Sequence, residues 1–175
     1  MFQAGDLIIY GGEGVCRVEA VGVPAVSGAN ADRLYYTLTP LYRTGKVFVP
    51  VDSPVFMRPV ISREEAVDLI RRIPSVDAEV VEIRNLRFLT EHYQESLQRH
   101  DCTDLVKLIK DVYLKRQHAT QKGKKLGQID ERFMKRAEDM LYGELAVALD
   151  IPKEGVAAYI HDAVTRMEAG EEFVG

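Results

Sequence analysis

The residues that point most clearly to a chemical role in this chain are the lysines and arginines clustered between positions 107 and 136. This segment carries ten basic residues against three carboxylates, a local charge of +7, although the 175-residue chain has a net charge of −4. Clustered cations bind phosphates by releasing counterions, so the segment favours local contact with a nucleic-acid backbone. The alternative is an ordinary solvated helix face and loop. The residues assigned to the contact are Lys122, Lys124, Lys125, Arg132, Lys135 and Arg136.

Residue types used in catalysis and metal binding are present, but not at the spacing that such sites need. The four histidines form no pair at metal-ligand spacing. Gly11, Gly12 and Gly14 lack the frame of a phosphate-binding loop and are followed by a predicted strand, so we interpret them as turn residues. Carboxylates such as Glu138 and Glu144 lie on predicted helices and are expected to form surface ion pairs. We therefore expect no catalytic residue, no metal, no cofactor and no small-molecule substrate, and an enzyme is the least favoured class.

The first sixty residues have the pattern of a small all-β domain. Short apolar segments alternate with Gly- and Pro-containing breaks every 8–12 or so residues, which is typical of a small barrel or sandwich. In the second of these segments the alternation predicts that Cys16, Val18 and Ala20 share one face of the strand. Cys16 is thus expected to be a buried thiol.

The remainder of the chain has helical periodicity. Ser62 and Glu65 have the spacing of a capping box and open a helix that Pro74 ends. Four further helices are expected. The first runs from about residue 83 to 99, the second is capped by Asp101, and the third follows a loop over residues 120–127. The last has Pro152 in its first turn. This change of period predicts an α+β chain of two domains, residues 1–60 and 61–175.

Composition also bears on the compartment. The chain has no long apolar run and no basic-then-apolar leader, so neither a membrane span nor a signal peptide is predicted. Its two cysteines, Cys16 and Cys102, fall in different predicted domains, which disfavours a disulfide. A reducing, cytoplasmic environment is the expectation.

The motif residues of the first domain resemble the CarD family of bacterial transcription regulators, whose N-terminal module also occurs in transcription-repair coupling factors. The similarity is carried by a Tyr-Tyr-x-Leu segment, a Val-Phe-Val-Pro segment, and Phe2, Gly5, Asp6, Tyr10, Gly14 and Val15. It continues in the helical part, most clearly over residues 132–146, and extends to about residue 148. The resemblance implies an SH3- or Tudor-like barrel that binds the β subunit of RNA polymerase. It also implies a helical domain that contacts promoter DNA at the upstream edge of the melted bubble.

Two positions depart from the family pattern. Relatives place a wedge Trp near the start of the helix after the linker, whereas this chain has no Trp and Leu86 aligns there. Leu86 is either a weaker apolar wedge or an ordinary core residue. Relatives also use an Arg near the end of the last barrel strand to hold polymerase, and Phe48 stands at that position. Alternation directs Phe48 outward, where it can anchor a protein interface, with Arg43 and Lys46 as basic contacts on the same strand pair.

The sequence and the resemblance together predict a cytoplasmic transcription regulator. It would bind the polymerase β subunit and stabilise the promoter open complex through backbone contacts that carry no sequence information. The alternative is a protein-interaction adaptor whose helical domain binds another protein and not DNA.

Overall fold

A computed structural model describes all residues, 1–175, and they divide into two compact units, Met1–Ile61 and Ser62–Gly175. The first unit contains the strands and the second contains the long helices. The predicted α+β arrangement is thereby confirmed.

The first unit is built on a five-stranded antiparallel sheet. Its strands are β1 (Leu7–Tyr10), β2 (Gly14–Gly22), β3 (Tyr35–Pro40), β4 (Val47–Pro50) and β5 (Met57–Pro59). The hydrogen-bonded order is β4-β3-β2-β1-β5, so β4 and β5 lie at its two ends. Closure of this sheet into the expected barrel stays a prediction.

A β-bulge in β2 changes which side chains reach the core. Val18 pairs with Leu38 as alternation predicts, but the register then shifts by one residue before Ala20. The extra residue exposes Ala20 and places Val21 opposite the buried Tyr36, against the core. The expectation that Ala20 faces the core with Cys16 and Val18 is therefore wrong, because a bulge reverses the alternation beyond it.

The second unit contains five α-helices: α1 (Arg63–Arg72), α2 (Leu86–Gln98), α3 (Cys102–Gln121), α4 (Gln128–Leu149) and α5 (Val156–Glu168). The capping box at the start of α1 and the Asp101 cap of α3 are both present as predicted. Asn85 caps α2, so this helix starts at residue 86 rather than near residue 83. Pro152 precedes a short 3-10 turn, Lys153–Gly155, and so does not lie in the first turn of α5. No helix is sufficiently long and apolar to cross a membrane.

Buried polar groups join the helices of this unit. Glu144 is 1% exposed and accepts a hydrogen bond from the Cys102 thiol, with 3.2 Å between Sγ and Oε1. The prediction of a surface ion pair at Glu144 is wrong, because this part of α4 packs between other helices and buries the side chain. Cys16 and Cys102 are both buried free thiols, and burial raises the pKa of Cys16 to about 11.

Candidate protein and nucleic-acid interfaces

Three lysines of the basic segment are committed to contacts inside the helical unit. Lys107 pairs with the buried Asp111, with 3.1 Å between Nζ and Oδ2. Lys110 donates hydrogen bonds to two backbone carbonyl oxygens that follow α1. Lys115 pairs with the buried Asp130 at 3.0 Å. These ammonium groups are already engaged within the helical unit, so the local charge of +7 overstates the charge that is available to a partner.

The six residues assigned to phosphate contact are all exposed, and we call them the basic surface. Three lie in the loop between α3 and α4, and three lie on one face of α4 at i, i+3 and i+4 spacing. The opposite face of α4 is buried through residues such as Phe133 and Ala137. None of the cations of the basic surface forms an ion pair with a carboxylate. In order, they are Lys122, Lys124, Lys125, Arg132, Lys135 and Arg136.

A buried polar junction fixes the start of α4 beneath the basic surface. Asp130 is 3% exposed, and its Oδ1 accepts hydrogen bonds from the Tyr93 hydroxyl at 2.5 Å and from the Lys115 ammonium at 3.0 Å. The three residues belong to α4, α2 and α3 respectively. Burial, and then the adjacent Asp130 carboxylate, raise the pKa of Tyr93, so the hydroxyl remains a donor. The junction therefore locks three helices at one point.

An aromatic stack extends this junction to the surface. The rings of Tyr93 and Phe133 are 5.4 Å apart between centroids. The Arg132 guanidinium carbon lies 5.2 Å from the centroid of the Phe133 ring, within cation–π distance. Sequence reasoning placed Arg132 among equivalent cations, whereas the structure gives it an aromatic support.

The start of α2 presents exposed apolar side chains. Leu86 is the first residue of the helix and is 64% exposed, so its interpretation as a core residue is wrong. Phe88 is 58% exposed and was missed by the sequence reasoning. Helical spacing could have identified it, because Leu89 and Tyr93 mark the buried face and Phe88 lies outside it.

In the first unit, a row of two small side chains and one aromatic ring crosses the outer face of three neighbouring strands. Phe48 is 38% exposed and Val49 is 4% exposed, which confirms the predicted orientation of β4. Thr37 pairs with Phe48 on one side and with Ala20 on the other, so the three side chains share a face. We call Ala20, Thr37 and Phe48 the outer row. The alternation pattern could not reveal Ala20, because the bulge moves it there.

The two basic residues assigned to polymerase binding come shortly before Phe48 in the sequence, but neither lies on a strand. Arg43 and Lys46 both belong to the connection between β3 and β4, so their expected place on the strand pair is wrong. Arg43 pairs with Glu13, whereas Lys46 is exposed at the residue before β4. Lys46 is therefore the nearer of the two to Phe48 along the chain.

A further open groove lies on the helical unit between α3 and α4, with a volume of about 520 Å³. Its apolar lining includes Tyr113, Met134 and Tyr142, and Tyr113 is 53% exposed. Burial raises the pKa of Glu138 in this groove, and the positive charge of Arg116 opposes that shift. The groove has the size and lining of a small binding site.

Comparison with known families gives a match for the first unit. Residues 2–61 match the family model described as the CarD-like/TRCF RID domain, which confirms the predicted resemblance over the first unit. This is a family of protein-interaction domains that bind the RNA polymerase β subunit. A comparison with curated proteins gives no match.

Proposed function

We propose that this chain is a transcription regulator that binds the β subunit of RNA polymerase through its first unit and contacts promoter DNA through its helical unit. The match of residues 2–61 to the CarD-like/TRCF RID domain carries the first half of the proposal. The exposed basic surface supports the second half. Contacts at the upstream edge of the melted bubble would slow its collapse and so lengthen the life of the open complex.

The outer row is the surface that we assign to polymerase. Phe48 supplies an exposed aromatic ring, while the small side chains of Ala20 and Thr37 leave the sheet flat beside it. A central aromatic anchor surrounded by a flat apolar surface is typical of a protein interface. β4 is also an end strand of the sheet order, so a strand of the partner could pair with it. In the same proposal, the sheet curls into an open SH3- or Tudor-like barrel in which β4 keeps a free edge for that pairing.

The DNA contact is assigned to the basic surface and to the first turn of α2. Phosphate contacts position a protein without reading sequence, so recognition would depend on polymerase and on bubble shape. Leu86 would act as an apolar wedge at the bubble edge. The exposed ring of Phe88, two residues further on, offers the flat surface for base stacking that Leu86 lacks. The chain is acidic overall, so tethering to polymerase would supply the effective concentration for binding.

The polymerase contact can be tested by Phe48→Ala in the full chain. Truncating a central aromatic anchor typically costs about 2 kcal/mol or more, which weakens binding about 30-fold. Lys46→Glu, a charge reversal at the rim, should cost less. The matched control is Val26→Ala, since Val26 is 42% exposed but lies outside the sheet strands. Equal polymerase binding by all three variants, with unchanged circular dichroism, would contradict the assignment of the outer row.

The DNA contact can be tested by replacing Lys124, Lys125, Arg132 and Lys135 with Glu. The gain in open-complex lifetime should disappear, because four attractive charges become repulsive. Polymerase binding by the same variant is the internal control and should not change. An unchanged lifetime would contradict the DNA half of the proposal.

The second candidate function is an adaptor whose helical unit binds another protein. The groove between α3 and α4 favours it, because the exposed Tyr113 and the half-buried Tyr142 offer aromatic surface beside the ionisable Glu138. Under this alternative, Tyr113→Ala would reduce the effect on transcription and the four-Glu variant would not. The two variants therefore separate the two functions.

A further inference from the structure

The six cations of the basic surface are not equivalent in how firmly they are held. Lys122, Lys124 and Lys125 lie in a loop, and long lysine side chains in a loop keep their rotamer freedom until they bind. Arg132 lies on α4, and its guanidinium rests on the ring of Phe133. Phe133 is 3% exposed, so the ring itself is fixed by the packing of the helical unit.

The support beneath Arg132 continues through the unit without a break. Phe133 packs against Tyr93, whose hydroxyl donates to Asp130 at 2.5 Å. Asp130 is in turn paired with Lys115 of α3. Arg132 is thus connected to α2, α3 and α4 by contacts between buried groups. No other cation of the basic surface has such a support.

The charges around Arg132 leave its guanidinium available. Asp130 is neutralised by Lys115, and it is buried. Glu131 is exposed and forms no ion pair with Arg132. Arg132 and Arg136 are themselves four residues apart, and like charges at this spacing destabilise a helix slightly in the absence of an anion.

We propose that Arg132 is the phosphate anchor of the basic surface, the one cation whose geometry as well as charge fixes the position of a DNA phosphate. This inference rests on the proposed function and deepens it. A guanidinium held against a ring by a cation–π contact keeps N–H groups free for a two-pronged contact with phosphate oxygens. Because the group is already ordered, little rotamer entropy is lost on binding. The lysines of the loop would add charge without defined geometry.

The test compares Arg132→Lys with Arg136→Lys, which is the same chemical change at an exposed arginine without an aromatic support. The assay is the affinity of the polymerase-bound full chain for fork-junction DNA at several salt concentrations. Arg132→Lys should weaken binding about tenfold, and Arg136→Lys at most about twofold, since only Arg132 loses a preorganised two-pronged contact. The dependence of log K on log salt should be the same in both, because both variants keep the charge.

Arg132→Ala tests the contribution of the positive charge, because it removes that charge. It should reduce the salt slope by about 0.9, the contribution of one phosphate contact. Equal losses from Arg132→Lys and Arg136→Lys, in a chain whose affinity depends on the basic surface, would overturn the anchor and leave the proposed function standing. If the parent chain and the four-Glu variant bind fork-junction DNA equally, the DNA contact itself is refuted and the anchor with it.

Discussion

The buried junction of Tyr93, Lys115 and Asp130 gives the sharpest prediction for stability. Replacing Asp130 with Ala leaves the Tyr93 hydroxyl buried without its acceptor and the Lys115 ammonium without its counter-charge. Breaking a buried charge pair typically costs about 3–5 kcal/mol. The Lys115 side chain is 23% exposed, so water can partly replace the lost carboxylate. We therefore expect a loss near the lower end, about 3 kcal/mol.

This loss can be measured as a thermal shift of the helical unit. For a unit of this size, 1 kcal/mol corresponds to about 4 °C in Tm, so Asp130→Ala should lower Tm by about 12 °C. Tyr93→Phe removes only one hydrogen bond and should lower stability by about 1 kcal/mol. Far-UV circular dichroism follows the transition, since the helices dominate that signal.

The neighbouring residue supplies the control for this experiment. Glu131→Ala removes an exposed carboxylate from the same helical turn and should change stability by less than about 0.5 kcal/mol. If Asp130→Ala melts within about 2 °C of Glu131→Ala, the junction does not stabilise the unit and our reasoning about it fails.

Three further predictions concern other parts of the chain. Leu86→Ala should change the free energy of unfolding by less than about 0.5 kcal/mol, because the side chain is exposed. Leu86→Trp should lengthen the open-complex lifetime. A loss of stability as large as that of a buried residue would contradict both expectations. The Cys16 pKa near 11 leaves about one thiol in a thousand ionised at pH 8, so a thiol reagent should label Cys16 only on unfolding. Since this folded-state pKa exceeds the ordinary 9.0, the contribution of Cys16 to stability is complete below about pH 9 and is lost towards pH 11; early labelling at pH 8 would refute its burial. Asp150 ends α4 with a φ of 54°, a left-handed conformation that glycine adopts more readily. Asp150→Gly should therefore stabilise the chain by up to about 1 kcal/mol in a thermal melt. A lower Tm would show that strain at this position is negligible.

The sequence was sufficient for features that depend on local pattern. Period-two and helical spacing identify the strands and helices, and Ser62 and Asp101 mark helix starts because capping is a local interaction. Leu86 shows the limit of such reasoning. Its periodicity with Leu89 suggested a core position, but the Asn85 cap makes it a first-turn residue that projects into solvent.

Features that depend on tertiary contacts were not predictable from the sequence. The bulge in β2 leaves no trace in the hydrophobic pattern, because the apolar Ala20 continues the alternation of Cys16 and Val18 although it is exposed. Charge counting could not distinguish Lys110, which binds backbone carbonyls, from Lys124, which is exposed. The support of Arg132 likewise depends on the way α2 packs against α4, and no local spacing encodes that packing.

Some lysines of the helical unit are engaged in internal contacts and others are exposed, and this difference has a chemical consequence. An acylating reagent needs a free amine that it can approach, and Lys110 holds its ammonium against two carbonyl oxygens. Lys122, Lys124 and Lys125 have no such engagement and are exposed in a loop. Graded acylation would therefore neutralise the exposed lysines, those of this loop among them, before it reaches Lys110. Enzymatic acetylation of this loop would remove positive charge from the basic surface without changing the sheet of the first unit.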